Sequence, residues 1–429
     1  MEQKFGTWFR LDNAAKIYPA AQTMDWSPMY RFSVVLDAPV DLNTLEYALD
    51  KALKRFPVFS CTLRRGFFWH YLEHIEGRPP ITEDVNNPMT RLFLEDNGGF
   101  LFRMRIYRNR LAIELFHSIA DGRGALPFFM SLLREYLKVK YGEDIPTEGY
   151  VLDCDDVPPK EEVEDSFLKY AVKGRLSKRE AEAYRPQGRC LSKWEAIITT
   201  GVVPTNQLLE TAHSFDATIG EFFTSLLILS LLRQQDKEAK GKARRLPVKV
   251  SVPIDLRRFF YSRTLRNFSS YVNIGVDSQS EPFTFHKILA QVKGMMKTCV
   301  TREKLRARFS GNVATERNPM VRILPLIIKQ PLMRLGYHIL GNDKCTSATL
   351  SNLGLVKLPQ QMSRHINRLD VLLGLPRGGR SECAVVSCCG KTSINFTRIM
   401  ESPAIEREFF CELVKMGVPV YVETNRRNK

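Results

Sequence analysis

Nine cysteines are spread through 429 residues without any metal-finger spacing, and their number is odd. This usage excludes a zinc-finger module and is expected of reduced thiols in a cytoplasmic protein. The opening Met1-Glu2-Gln3-Lys4-Phe5-Gly6 lacks the charged-then-apolar layout of a signal peptide, so secretion is not indicated. Long hydrophobic runs are missing too. The oiliest, Phe222 to Leu232, contains Thr224, Ser225 and Ser230 and is far shorter than the ~20 residues that span a bilayer. No transmembrane segment is expected. A phosphate loop is absent although Gly390-Lys391-Thr392 hints at one, because Val385 stands where its first glycine belongs. His70 and His74 would pair on a helix, but the aromatic residues around them favour a strand, and a structural zinc wants four ligands. No metal is expected there.

What the chain has in excess is positive charge. Lys and Arg number 63 against 47 Asp and Glu, a net +16, enough to raise nucleic acid or an anionic membrane as a partner. The basic runs are short and mixed with acids, and the longest, Arg233 to Arg245, reads as a solvated helix end and loop. No nucleic-acid partner is expected from them. The phosphates of coenzyme A are another use for such charge, with no particular basic residue assigned to them.

The stretch that carries chemistry is Phe116-His117-Ser118-Ile119-Ala120-Asp121-Gly122. A neutral imidazole is the group that takes a proton from a hydroxyl or amine as it attacks an activated acyl carbonyl, which makes His117 the candidate base. A carboxylate four positions on, followed by a residue free to take positive φ, suggests a tight loop in which Asp121 holds the shape and Gly122 lets the chain turn. Before the motif, residues 103–107 and 110–116 alternate in polarity around Arg108-Asn109, the pattern of a β-hairpin. After it, Leu126, Phe129, Met130, Leu133, Tyr136 and Leu137 recur at helical spacing, with Pro127 tolerable in a first turn. The motif is a strand-to-helix loop, a frequent place for chemistry.

Other stretches join it in order: Arg10 to Pro19, Arg55-Phe56-Pro57-Val58-Phe59, Val252 to Arg257, Leu265-Arg266-Asn267-Phe268 and Leu350-Ser351-Asn352-Leu353-Gly354. Together they resemble the acyltransferase superfamily that holds peptide-synthetase condensation domains, plant acyl-CoA acyltransferases and alcohol acetyltransferases, all built like chloramphenicol acetyltransferase. Bacterial alcohol-acetyltransferase-like proteins are the nearest in pattern. The resemblance implies an α/β fold of two similar halves with mixed sheets and an active-site channel at their interface. It implies His117 as general base, Asp121 paired with an arginine for which Arg257 is the match, and Ser351 and Asn352 as oxyanion or channel residues. For those two, a loop that merely closes a hairpin or joins sheets is the alternative. It further implies an acyl-CoA co-substrate, an alcohol acceptor, no permanently bound cofactor and a monomer. The chain departs from condensation domains, which usually carry a second histidine where Phe116 stands, and it lacks the D-F-G-W-G segment of the plant enzymes.

Length agrees, since 429 residues exceed one ordinary core. The expected division is 1–165 with the motif, a crossover at 166–190, and 191–429. A strand is expected over Tyr30–Leu36, a helix after an Asp41 cap through Leu45, Leu49 and Leu53, and a strand from Phe59 to Leu63. The second half should restart with a helix near Thr218 and continue into a strand at 246–252. Near the end, Gly390-Lys391 is the expected two-residue turn, with Cys388 and Cys389 on opposite faces of a strand. Ile323 to Leu335 reads as core, with a surface or tunnel for a lipophilic substrate as the other possibility. The function expected is direct acyl transfer from a thioester to an alcohol. An amide-forming or carrier-protein-dependent transferase, a non-catalytic binding protein of the same fold and, more distantly, a nucleic-acid binder are its rivals.

Overall fold

The alternation around Arg108-Asn109 closes as a hairpin: Tyr107 pairs with Arg110, and Arg108 takes φ 52° to make the turn. We describe the chain from a computed structural model that covers residues 7–24, 26–174, 180–241, 246–277, 283–340, 344–375 and 381–426. The hairpin strands Phe102–Tyr107 and Arg110–Phe116 lie inside a five-stranded sheet in the order Ile366–Leu372, Met29–Leu36, Arg110–Phe116, Phe102–Tyr107, Ile81–Glu83. Period-two alternation sends Phe32, Val34, Ile113 and Leu115 into one core. Helices Leu42–Arg55 and Gly122–Tyr141 supply its other side. The first is capped by Asp41, whose carboxylate accepts from Thr44 N at 2.7 Å, and it buries Leu45, Leu49 and Leu53. The second begins at Gly122, so Pro127 sits in its second turn and not, as its sequence position suggested, in the first.

A seven-stranded sheet organises the rest. Its order is Ser269–Val276, Val248–Asp255, Ala348–Leu355, Ser381–Cys388, Lys391–Arg398, Ile197–Pro204, Tyr421–Thr424, and it is mixed because Ala348–Leu355 runs parallel to both its neighbours. Helix Ile219–Glu238 packs on it, started by a reciprocal capping box between Thr218 and Glu221. Strand Ser381–Cys388 is buried throughout and serves two cores: Ala384, Val386 and Cys388 enter the first, Cys383 and Val385 the second. The two-residue turn after it is Cys389-Gly390, one position earlier than expected, since Cys388 pairs with Lys391. Cys389 and Gly390 take φ 50° and 75°, the conformation such a turn requires of both central residues. Cys389 is therefore outside the strand, and the two sulfurs lie 3.4 Å apart instead of on opposite faces. All nine cysteines are free thiols.

A small sheet of Trp8–Arg10, His70–His74 and Cys61–Arg65 completes the fold. His70 and His74 are strand residues there, and the strand expected from Phe59 starts two residues later because Phe56 and Phe59 turn into the core. Among the described residues no single helix is long and apolar enough to cross a membrane. The charged run past Arg233 is helical to Glu238, with Arg233 held by Glu408 and Glu412; residues 242–245 lie outside the described ones.

The two glycines at the start of helix Gly122–Tyr141 differ in what they allow. Gly122 does not use positive φ, and a Cβ there would meet Leu353 Cδ2 at 3.4 Å, an ordinary contact. A Cβ on Gly124 would stand 2.1 Å from the Leu265 carbonyl oxygen. It is Gly124, then, that lets the helix start dock on the 264–268 loop. Gly124→Ala is expected to cost at least about 1–3 kcal/mol, the usual range for overpacking, whereas Gly122→Ala should be neutral within about 1 kcal/mol. Thermal or denaturant melts of the two variants check this, and equal losses would refute it.

Candidate active site

His117 follows the last residue of strand Arg110–Phe116, and its N–H bonds the Pro28 carbonyl at 2.9 Å, which fixes the backbone as it leaves the sheet. Tyr18 stacks on the imidazole at 4.5 Å between centroids, and Tyr30 lies tilted against it at 5.0 Å. The Tyr30 hydroxyl donates to the carbonyls of Ala120 (3.0 Å) and Asp121 (3.3 Å), holding the motif loop. Burial raises the pKa of this phenol well above its ordinary value, so it stays neutral.

The ring nitrogens of His117 are made distinct by a line of polar groups. Nδ1 is 3.0 Å from Asn267 Oδ1, and Asn267 Nδ2 donates to Asp12 Oδ2 at 3.1 Å. Asp12 is fully buried, which raises its pKa against the opposing pull of Arg266, and its hydrogen-bond and ion-pair partners are donors: Ala15 N–H at 2.7 Å, the Asn267 amide, and the Arg266 guanidinium at 3.6 Å. An acceptor at that end turns the amide so that its oxygen faces the histidine, and the oxygen in turn places the proton on Nδ1. Nε2 is left with a lone pair. Burial lowers the His117 pKa below the ordinary 6.5, partly opposed by the Asp121 charge and the Asn267 hydrogen bond. The imidazole is thus neutral at pH 7, the form a base requires.

Asp121 joins the two halves of the chain. Its Oδ1 accepts from Gly124 N at 2.8 Å and caps the helix; its Oδ2 accepts from Phe268 N at 2.7 Å and from Arg257 Nη1 at 3.1 Å. Arg257 follows strand Val248–Asp255 and fans its N–H groups over Thr264 O (2.9 Å), Arg266 O (2.6 Å) and Asp255 Oδ1 (3.0 Å). Opposite charges hold the guanidinium ionised despite burial, raising its pKa. Arg266, itself buried, bonds Arg10 O at 2.5 Å, which brings the Asp12 segment to the same loop.

Ser351 and Asn352 lie on strand Ala348–Leu355. The neighbouring Leu353 reaches the start of helix Gly122–Tyr141, where its carbonyl accepts from Arg123. Asn352 Oδ1 is engaged by Gly354 N–H at 2.8 Å, so the NH2 end of its amide is the donor left over. Among the described residues neither side chain bonds His117 or Asp121. The site also contains groups to which sequence reasoning gave no role: Asp12, Tyr18, Tyr30, Gly124 and Asn267. For Asp12, Tyr18 and Asn267 the signal was their place inside two of the stretches that carry the family resemblance. No three His, Cys, Asp or Glu side chains converge as a metal site among the described residues.

No protein-family model matches the sequence, and no curated protein does. Solved structures match in fold. The first condensation domain of the calcium-dependent antibiotic synthetase, in complex with a substrate analogue, is 13% identical with a TM-score of 0.63 over 96% of this chain and 97% of that one. F. sporotrichioides TRI101, complexed with coenzyme A and T-2, is 11% identical with a TM-score of 0.60, covering 98% of this chain and 100% of that one. The TRI3 trichothecene 15-O-acetyltransferase from Fusarium sporotrichioides is 9% identical, TM-score 0.58, over 95% and 94%. The chain shares the two-lobed, mixed α/β fold of these solved structures.

Two outcomes follow from this geometry. Arg257→Ala strips one partner from a buried pair and should cost about 3 kcal/mol in a melt. Arg257→Lys should rescue little, because a single ammonium cannot reach the acceptors that the planar fork spans. Asn267→Ala removes an acceptor that favours the imidazolium, so the His117 pKa, titrated by NMR of the ring protons, should move still lower than in the wild type. An upward shift would contradict the assigned polarity.

Proposed function

We propose that this chain is an acyltransferase that moves an acyl group from a thioester, acyl-coenzyme A, directly to an alcohol with His117 as general base. The observation that carries this reading is the Asp12, Asn267, His117 line, which presents an unprotonated Nε2 from a neutral ring. In the reaction, Nε2 takes the proton of the acceptor hydroxyl as its oxygen attacks the thioester carbonyl. The C–S bond of the tetrahedral species then breaks, and the imidazolium returns the proton to the leaving thiolate, giving an ester and a free thiol. No acyl-enzyme is required. Asp121 and Arg257 keep the loop in place, with Gly122 as the first residue of the helix it feeds. The Ser351 hydroxyl and the Asn352 NH2 are the proposed donors to the oxyanion.

Three features favour coenzyme A and an alcohol over a carrier protein and an amine. Among proteins of this fold, the TRI101 proteins of two Fusarium species are solved with coenzyme A, a starter condensation domain is solved with C8-CoA, and TRI3 is named for O-acetyl transfer. Phe116 occupies the position at which condensation domains usually carry a second histidine. The excess of positive charge also suits a donor that carries phosphates.

Thiol release measured over a panel of acyl-CoAs and alcohols tests the reading. His117→Ala should lose about 10²- to 10⁴-fold in rate with little change in melting temperature. Unchanged release would eliminate His117 as the base. In the wild type, kcat/KM should rise with pH through an apparent pKa below 6.5 and then level off, because protonation of the partly buried imidazole abolishes the base and its desolvation disfavours that protonation. A midpoint above 6.5 would contradict this.

A further inference from the structure

The apolar stretch at Ile323 to Leu335, which reads most simply as core, buries Leu326 but turns most of its large apolar side chains outward where they are described. Met320 is 79% exposed, Ile323 72% and Ile327 69%, with Ile328 and Leu332 at least half exposed, on the consecutive helices Pro319–Ile323 and Leu326–Leu340. A second element adds to them. The connection between strands Cys61–Arg65 and His70–His74 displays Phe67, 71% exposed, and Phe68, their rings edge to face at 4.8 Å. Leu326 N–H bonds Phe67 O at 2.7 Å, and the Lys329 ammonium bonds Phe68 O at 3.0 Å while standing 3.6 Å from the Trp69 ring centroid. The helix and the loop tip therefore form one continuous surface.

Soluble monomers rarely expose apolar patches larger than a few hundred Å² without a use for them. The charge around this one says what the use is. From Arg317 to Met333 the chain holds Arg317, Arg322 and the buried Lys329 and no Asp or Glu, and the loop strand holds Arg64 and Arg65; of the flanking acids, Glu73 pairs with Arg64 at 2.6 Å and Glu316 with Lys16, which leaves Arg65, Arg317 and Arg322 to set the charge of the face. Arg64, Arg65, Arg317 and Arg322 are exposed at the rim. Large apolar side chains beside basic ones are the pattern of a surface that lies in the interface of a bilayer and is drawn to anionic headgroups. A second copy of the chain fits poorly, because an isologous contact would set these arginines against one another.

We propose that this face docks on an anionic lipid bilayer, with Phe67, Phe68, Ile323, Ile327 and Leu332 entering the boundary between headgroups and acyl chains. The inference does not depend on acyl transfer. It does place the site, since Leu326–Leu340 packs on helix Ile17–Ala21, which carries the Tyr18 stacked on His117. Docking turns that side of the molecule toward the lipid.

Co-sedimentation of the full chain with phosphatidylcholine vesicles, with and without phosphatidylglycerol, tests it. Binding is expected on the vesicles that contain phosphatidylglycerol. It should weaken about five-fold in Arg322→Gln, the equivalent of ~1 kcal/mol per cation near the surface. The pair Phe67→Ser and Ile327→Ser should abolish it with an unchanged melting temperature, because both sites face solvent. His117→Ala should bind like the wild type, which separates docking from the transfer reading. The proposal is overturned if neither vesicle retains the chain or if the paired serine variant binds as well as the wild type. It is equally overturned if the wild type is a dimer that those substitutions dissociate.

Discussion

The carboxylate of Asp121 is the constraint on which the rest of the site depends. One oxygen caps the helix that follows the motif; the other receives the Phe268 amide and the Arg257 guanidinium from the second half of the chain. A carboxylate so deeply placed is tolerable only because every lone pair it uses meets a donor. The same contacts hold the 264–268 loop against the helix start, so that Asn267 arrives at His117 as a consequence of how Asp121 is satisfied. Structure and candidate catalysis are thus served by neighbouring residues of one short loop, without the carboxylate ever touching the reacting groups.

The distribution of polarity around His117 explains why a histidine enclosed by aromatic rings is suited to accept a proton. Tyr18 and Tyr30 remove water and lower its pKa, while Asn267 and the Asp121 charge limit how far it falls. Were burial to act alone, the imidazole would be available but a weak base. The amide of Asn267 is a neutral intermediary, and it lets the Asp12 carboxyl group orient the ring without a direct contact between the two.

Elements set by local pattern were legible in the sequence. The hairpin at Arg108, the Asp41-capped helix and the Thr218 helix each follow from alternation, spacing and a cap within a few residues. What was not legible arises between distant segments. Asp12 and Asn267 are 255 positions apart, and either alone reads as an ordinary turn residue. Gly124 looks interchangeable with Gly122 until the Leu265 carbonyl is placed against it. The Cys389-Gly390 turn was displaced by one residue because a cysteine at positive φ is uncommon. Ile323 to Leu335, read as core with an apolar surface as the alternative, turned out to be mostly surface for another reason: hydrophobic composition says that a face seeks cover, not whether the protein provides it.

Strand Ser381–Cys388 gives alternate side chains to the two cores, and Ile366–Leu372 forms an edge of the first sheet although it lies far along the chain. The half that is synthesised first is accordingly the one that must wait. As the polypeptide leaves the ribosome, its opening segment has the helices and four of the five strands of its sheet but lacks Leu369, Val371, Ala384 and Val386, which close its core. Its hydrophobic face stays open until almost nine-tenths of the chain has been made, a long exposure during which a nascent protein of this design depends on its own charge, or on chaperones, to remain in solution.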